Sequence, residues 1–229
     1  MTLAMTILVL AALRTELRPA LRLLRPRATR AGGASVRAAG PLTFAVAGVG
    51  AAAARETALR LIAALRPTAL VSTGFAGAID DELGTGDLIL GGTTGCPAAG
   101  GLLRLAREAA PDARAGDVHA VARVVRDAAA KARLHRETGA LAVDMESAAV
   151  GRAAREHGLD FLCVKAVLDT PETPLATDYA SLPTMLGEVL SRPRQTLSGI
   201  RGDAARARVA AERLGAFYAR WAERLATGL

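Results

Sequence analysis

Lysine is almost missing from this chain: of 29 basic residues, only Lys131 and Lys165 are lysine. Aromatic residues make up 3%, so Ala, Leu and Val must fill the core. The two cysteines, Cys96 and Cys163, do not make a disulfide framework, and a reducing, cytoplasmic setting is expected. Cys163 sits in the apolar run FLCVKAVL and reads as a small core residue. His119, His135 and His157 lack metal-ligand spacing, so neither a metal nor a cofactor is expected. No apolar run approaches the ~20 residues that a membrane helix needs. The opening MTLAMTILVLAAL has no basic stretch ahead of its apolar part and meets Arg14, Thr15 and Glu16 at once, so it reads as a buried strand and not a leader.

What is present fits one α/β domain over residues 1–229. With 51% hydrophobic residues the chain can bury a sizeable core. The net charge of +7 sits at the ends: residues 1–60 carry +7 and residues 191–229 carry +5, against −5 between them. A basic surface attracts polyanions, but no aromatic-interleaved basic patch or zinc-finger spacing appears, so no nucleic-acid partner is expected. Residues 191–229 read as a basic helical extension. Its Phe217, Tyr218 and Trp221 either pack on the core or a dimer partner, or dock on an acidic membrane surface.

Apolar runs alternate with amphipathic stretches, the pattern of a sheet covered by helices. Strands are expected at Thr6–Ala12, Ser35–Ala39, Leu42–Ala47, Ala69–Thr73, Leu88–Gly91, Leu141–Val143 and Phe161–Leu168, with extended chain over Ala115–Val125. Helices are expected at Arg14–Leu24, Ala51–Leu65, Leu102–Ala109, Arg126–Arg136 and Glu146–His157, and again from about Leu182 with an interruption at Pro193. Gly32–Gly33 and Gly40–Pro41 mark turns, and Gly91–Gly101 reads as a flexible loop.

Polar groups gather where apolar strands end: Glu16; Ser72–Gly77; Asp144-Met145-Glu146-Ser147; and Lys165 to Thr170. A carboxylate closing an apolar strand is costly to desolvate without partners, which makes it a functional candidate. Each has a plainer reading. Glu16 suits the first turn of a helix, Asp144 or Ser147 can cap the next helix, and Asp169 can cap a turn before Pro171. STGFAG lacks the pattern of a phosphate loop, and Ser72 and Ser147 lack the setting of a nucleophile elbow.

Taken together and in order, VSTGFAGAIDDELGTGDLIL, AVDMESAAVGRAA and FLCVKAVLDT resemble the purine nucleoside phosphorylase/uridine phosphorylase superfamily, and within it the methylthioadenosine/S-adenosylhomocysteine nucleosidases. The tail SLPTMLGEVLSRPRQTL is also similar to the hopanoid-associated nucleosidase/phosphorylase proteins, which act on adenosylhopane. The resemblance implies a three-layer α/β/α fold with a central twisted mixed sheet, a homodimer and a nucleoside substrate. It implies Asp169 as the general acid at purine N7 and Glu16 as the base that activates water. Glu146 would bind the ribose hydroxyls and Met145 would pack on the sugar. Phe75, Val124 and Val125 would flank the base, Gly77 would let the backbone approach, and Gly50 would lie in the nucleophile-side loop.

The chain departs from the nucleosidases where they carry Ser, Arg and Ser and it has Phe75, Lys165 and Leu168. Phosphorylases of the superfamily carry an Arg near Ser72. Its absence here, with Glu16 present, favours water over phosphate. The short Gly91–Gly101 connection implies a pocket open to a large 5′ substituent. A phosphorylase is the second reading, and a non-catalytic nucleoside-binding or membrane-surface protein is the third.

Overall fold

The computed structural model describes residues 5–177, 191 and 193–227. Its layering follows from one strand. In β1 (Ile7–Ala11) all five residues are buried. Ile7, Val9 and Ala11 join one core cluster and Leu8 and Leu10 the other. Side chains of a strand alternate between faces, so a run buried throughout must have helices on both sides.

The remaining strands are β2 (Arg27–Ala31), β3 (Ala34–Ala39), β4 (Leu42–Val46), β5 (Ala69–Ala78), β6 (Leu88–Gly91), β7 (Arg114–Ala115), β8 (Val118–Ala120), β9 (Ala142–Asp144) and β10 (Asp160–Asp169). The helices are α1 (Arg14–Leu24), α2 (Ala51–Leu65), α3 (Gly100–Ala109), α4 (Ala128–Thr138), α5 (Ser147–Glu156) and α6 (Pro193–Thr227). The sheet runs β2-β3-β4-β1-β5-β10-β6-β7, with β8 and β9 attached beside β5. Strands β4, β1, β5 and β10 are mutually parallel, while β3 and β6 run antiparallel to their neighbours. This is the expected mixed sheet in a three-layer α/β/α fold. One core packs α1, α3 and α6 on the sheet, and the other packs α2 and α5.

The structure decides one open alternative and corrects several other expectations. Phe217, Tyr218 and Trp221 are fully buried in the first core, where Tyr218 meets Phe44 edge-on at 5.2 Å. They are structural aromatics of α6 and are not available to a membrane. The Gly91–Gly101 segment is not a flexible loop: Gly92, Thr93 and Cys96 are buried, and Thr93 and Cys96 exchange backbone hydrogen bonds at 2.9 Å. Strand β2 escapes sequence analysis because RATRA is an exposed edge hairpin with no apolar face. Strand β5 continues five residues past Thr73, through Gly74 and Gly77. Helix α4 starts at Ala128 and not Arg126 because Asp127 caps it, accepting the Ala130 N–H at 2.7 Å. The Ala115–Val125 stretch is two short strands followed by irregular chain. The helix expected from Leu182, and most of the SLPTMLGEVLSRPRQTL segment, lie outside the described residues.

Candidate active site

The parallel strands β1, β4, β5 and β10 end on the same side of the sheet, where open α/β folds place ligands. A cavity of about 410 Å³ lies there, within the range of small-molecule sites. Its walls are largely apolar: Leu13, Val49, Phe75, Val121, Val124, Val125, Met145, Leu168, Leu175 and Ile200 all contribute. Five carboxylates also line it: Glu16, Asp144, Glu146, Asp169 and Asp203. Among the described lining residues there is no lysine or arginine.

Glu16 serves helix and cavity together. It sits in the first turn of α1, and its carboxylate accepts the Leu13 N–H at 2.7 Å and the Phe75 N–H of β5 at 2.8 Å. The side chain lies so close to β5 that a Cβ on Gly74 would stand 2.5 Å from its Oε1, and Gly74 also has φ +130°. Only glycine meets both conditions. Burial pushes the Glu16 carboxyl up to about 7, against the pull of Lys165 and of its two backbone donors.

Glu146 begins α5 but turns its carboxylate away from the helix. Its Oε1 accepts the Gly50 N–H at 2.7 Å, so the loop after β4 holds it in place. Burial raises its pKa, with Lys165 and the Gly50 donor opposing. Asp144 fulfils its capping reading: it accepts both the N–H and the hydroxyl of Ser147, the latter at 2.6 Å. It also pairs with the Lys165 ammonium at 2.7 Å. Lys165 lies behind the cavity, 1% exposed, and donates to the Thr73 carbonyl at 3.3 Å. Burial alone would lower its pKa, but Asp144, followed by Cys163 and Glu146, holds it above the usual value.

Asp169 ends β10 beside a register shift between Val167 and Asp169. Bulges of this kind re-aim a strand's side chains. The Asp169 carboxylate lies against Gly77, where a Cβ would stand 3.0 Å from Oδ1. Gly77 therefore makes room for Asp169, whereas the sequence suggested room for ligand. Asp169 Oδ2 takes a 2.5 Å bond from Lys131 Nζ of α4, a side chain with no exposure. Burial raises the Asp169 pKa against the pull of Lys131 and Arg206. From α6, Asp203 reaches the cavity, pairs with Arg206 and accepts the Ala176 N–H at 2.9 Å.

Glu16 meets β5 at Gly74 and Phe75, and Asp169 meets it at Gly77. Two to three residues of extended strand separate them, roughly 7–10 Å at ~3.3 Å per residue. The structure brings Glu16, Phe75, Gly77, Val124, Val125, Met145, Glu146 and Asp169 to this cavity. Gly50 stands one step back, acting through Glu146, while Val49 lines the wall. None of the lining comes from residues 91–101. Sequence reasoning missed Lys131, Asp203 and the α6 wall. The scarcity of lysine was the one available signal for Lys131.

The sequence profile of the Phosphorylase superfamily matches residues 6–94 and 91–184. No curated protein matches the chain. Among solved structures, a futalosine hydrolase mutant of Helicobacter pylori is similar at 17% identity and a TM-score of 0.71, over 98% of this chain and 100% of that one. The 5′-methylthioadenosine/S-adenosylhomocysteine nucleosidase of Helicobacter pylori, with butyl-thio-DADMe-Immucillin-A, is similar at 18% and 0.70, over 94% and 98%. That of Campylobacter jejuni is similar at 20% and 0.67, over 93% and 98%.

Proposed function

The chain belongs to the phosphorylase superfamily, and on that premise we propose that it hydrolyses the N-glycosidic bond of an adenine-type nucleoside carrying a 5′ substituent. The observation that carries this reading is the opposed pair of buried carboxyls, Glu16 and Asp169, across one cavity. Their charge environments differ. Glu16, Asp144 and Glu146 share one cation, Lys165. Taking up a proton there relieves an excess of negative charge. Asp169 and Asp203 face two cations, Lys131 and Arg206. Losing a proton there leaves a balanced cluster.

Asp169 delivers its proton to purine N7: its O–H bond breaks and N7–H forms. The C1′–N9 bond breaks, and its electron pair leaves with the base. A water oxygen bonds to C1′ as Glu16 takes the water's proton. Glu146 accepts the ribose hydroxyls and Met145 packs on the sugar. Phe75, Val124 and Val125 flank the base.

Water is favoured over phosphate because the described lining holds five carboxylates and no cation, and a phosphate dianion would be repelled. The 5′ group has apolar wall to meet at Leu13 and Val49, 45% and 48% exposed beside Glu16 and Glu146. The resemblance also implies a homodimer. The expected cytoplasmic setting stands beside one fact: among the described residues, no helix is long and apolar enough to cross a membrane.

The test is adenine release from adenosine, methylthioadenosine, S-adenosylhomocysteine and nucleosides with larger 5′ groups, with and without phosphate, using Asp169→Asn as control. Free ribose product in phosphate-free buffer supports the hydrolase. Strict dependence on phosphate, with ribose-1-phosphate formed, establishes the phosphorylase instead.

A further inference from the structure

Helix α4 buries one side chain only, and it is a lysine. Lys131 is the single buried residue of Ala128–Thr138. A surface helix normally anchors itself through an apolar stripe. Here Leu134 alone packs half-buried on a small apolar cluster, and the one fully buried side chain is an ammonium whose Nζ reaches Asp169 Oδ2. A buried ion pair is a poor route to stability, since a well-packed apolar side chain would serve the fold as well or better. In a chain with 29 basic residues and two lysines, both lysines lie fully buried behind the cavity, each bonded to an aspartate.

We infer that Lys131 is a positioning residue for Asp169: its ammonium is the counter-charge that receives the carboxylate formed when Asp169 gives its proton to the departing base. This rests on the proposed function. Without that cation, the proton transfer would leave a bare anion in a desolvated pocket, which is heavily disfavoured. With it, the transfer ends in an ion pair already built. The other charged groups acting on Asp169 are Arg206 and Asp203 of α6, which pair with each other. Glu172, in the turn after β10, acts on Lys131 from the far side and is fully exposed. Lys131 is thus the one cation bonded directly to Asp169 among the described residues.

The test compares Lys131→Met and Lys131→Arg with the parent enzyme across pH. In Lys131→Met the Asp169 carboxylate loses its stabilising cation, so its pKa rises. The limb on which activity falls as Asp169 deprotonates then moves to higher pH by about one unit or more. At the optimum, kcat falls about tenfold or more with KM little changed. Lys131→Arg recovers part of the loss. In an Asp169→Asn background, Lys131→Met costs little further rate, because it acts through the missing acid. A pH limb that does not move, with equal loss of rate in both backgrounds, overturns the inference.

Should Lys131→Met not fold, the parent protein answers the question itself. Lysine labelled with 15N at Nζ has two sites in the whole chain. One Nζ resonance must shift along the Asp169 titration and lose that response in Asp169→Asn. An unresponsive pair of signals overturns the inference. Full activity of Asp169→Asn is a different result: it removes the proposed function, and Lys131 with it.

Discussion

The two ends of the cavity hold the same chemical group in opposite surroundings. On the Glu16 side three carboxylates surround one ammonium, and backbone N–H groups from Leu13, Phe75 and Gly50 fill the remaining positions. On the Asp169 side each carboxylate has a cation to itself. Burial raises Glu16 and Asp169 alike. The neighbours, not the burial, separate a site that gains a proton favourably from one that loses it favourably.

That contrast can be broken most severely at Asp169. Asp169→Asn is expected to lower kcat for base release about 10³-fold, with KM little changed, because a leaving-group acid acts in the transition state. A steady-state assay of the variant checks this, and an undiminished rate would dissolve the asymmetry.

Lys165→Met attacks the other end through stability. It leaves the buried Glu16 and Asp144 and the half-buried Glu146 without a cation, at a cost of about 3–5 kcal/mol. The urea midpoint reads the loss. A midpoint close to that of the parent means that the backbone donors alone hold the cluster.

Glu16→Gln separates activity from stability. The rate is expected to fall about a hundredfold with loss of the base. In the parent, the rate rises with pH through about 7 as Glu16 ionises. Stability moves the other way. The folded protein holds the Glu16 proton more tightly than the unfolded chain, whose carboxyl titrates near 4.5. The Glu16 contribution to stability is therefore greatest below pH 4.5 and is lost as pH rises through about 7, by about 3 kcal/mol in all. Glutamine removes this penalty, so urea unfolding at pH 8 should find Glu16→Gln the more stable protein, with little difference at pH 4. A variant destabilised at pH 8 would contradict the account of Glu16 as a strained base.

The smallest expected effect is at Gly77. Gly77→Ala adds a Cβ about 3.0 Å from Asp169 Oδ1 and must displace that carboxylate. Rate is expected to fall about tenfold through misplacement of the acid. Thermal stability should barely change, since Gly77 has ordinary β geometry. Equal rates would mean that the exact seat of Asp169 matters little.

Much of this was legible in the residues. The apolar run of β1, the helix over Arg14–Leu24, the hairpin at Gly40–Pro41 and the helix over Ala51–Leu65 follow local pattern, and each lies where that pattern puts it. Glu16, Glu146 and Asp169 stood out because each closes an apolar stretch. The misses share a cause. RATRA forms a strand through pairing alone, since β3 supplies its hydrogen bonds and nothing in it needs burial. Strand β5 runs through two glycines because carboxylates from α1 and β10 occupy the space their side chains would fill. Lys131 lies in AAAKARLHRET, a segment whose pattern looks fully solvated.

Periodicity and motif order are local properties, so the layered α/β architecture, the family and the acidic residues at the strand ends could be read along the chain. What stands behind each acid emerges from the folded chain. Lys131 is 38 residues from Asp169, and Lys165 is 21 from Asp144. Their pairing exists only once α4 and β10 have folded onto the same pocket. A carboxylate's proton affinity depends on charges a few ångströms away in space, and no reading of neighbours along the chain contains that distance.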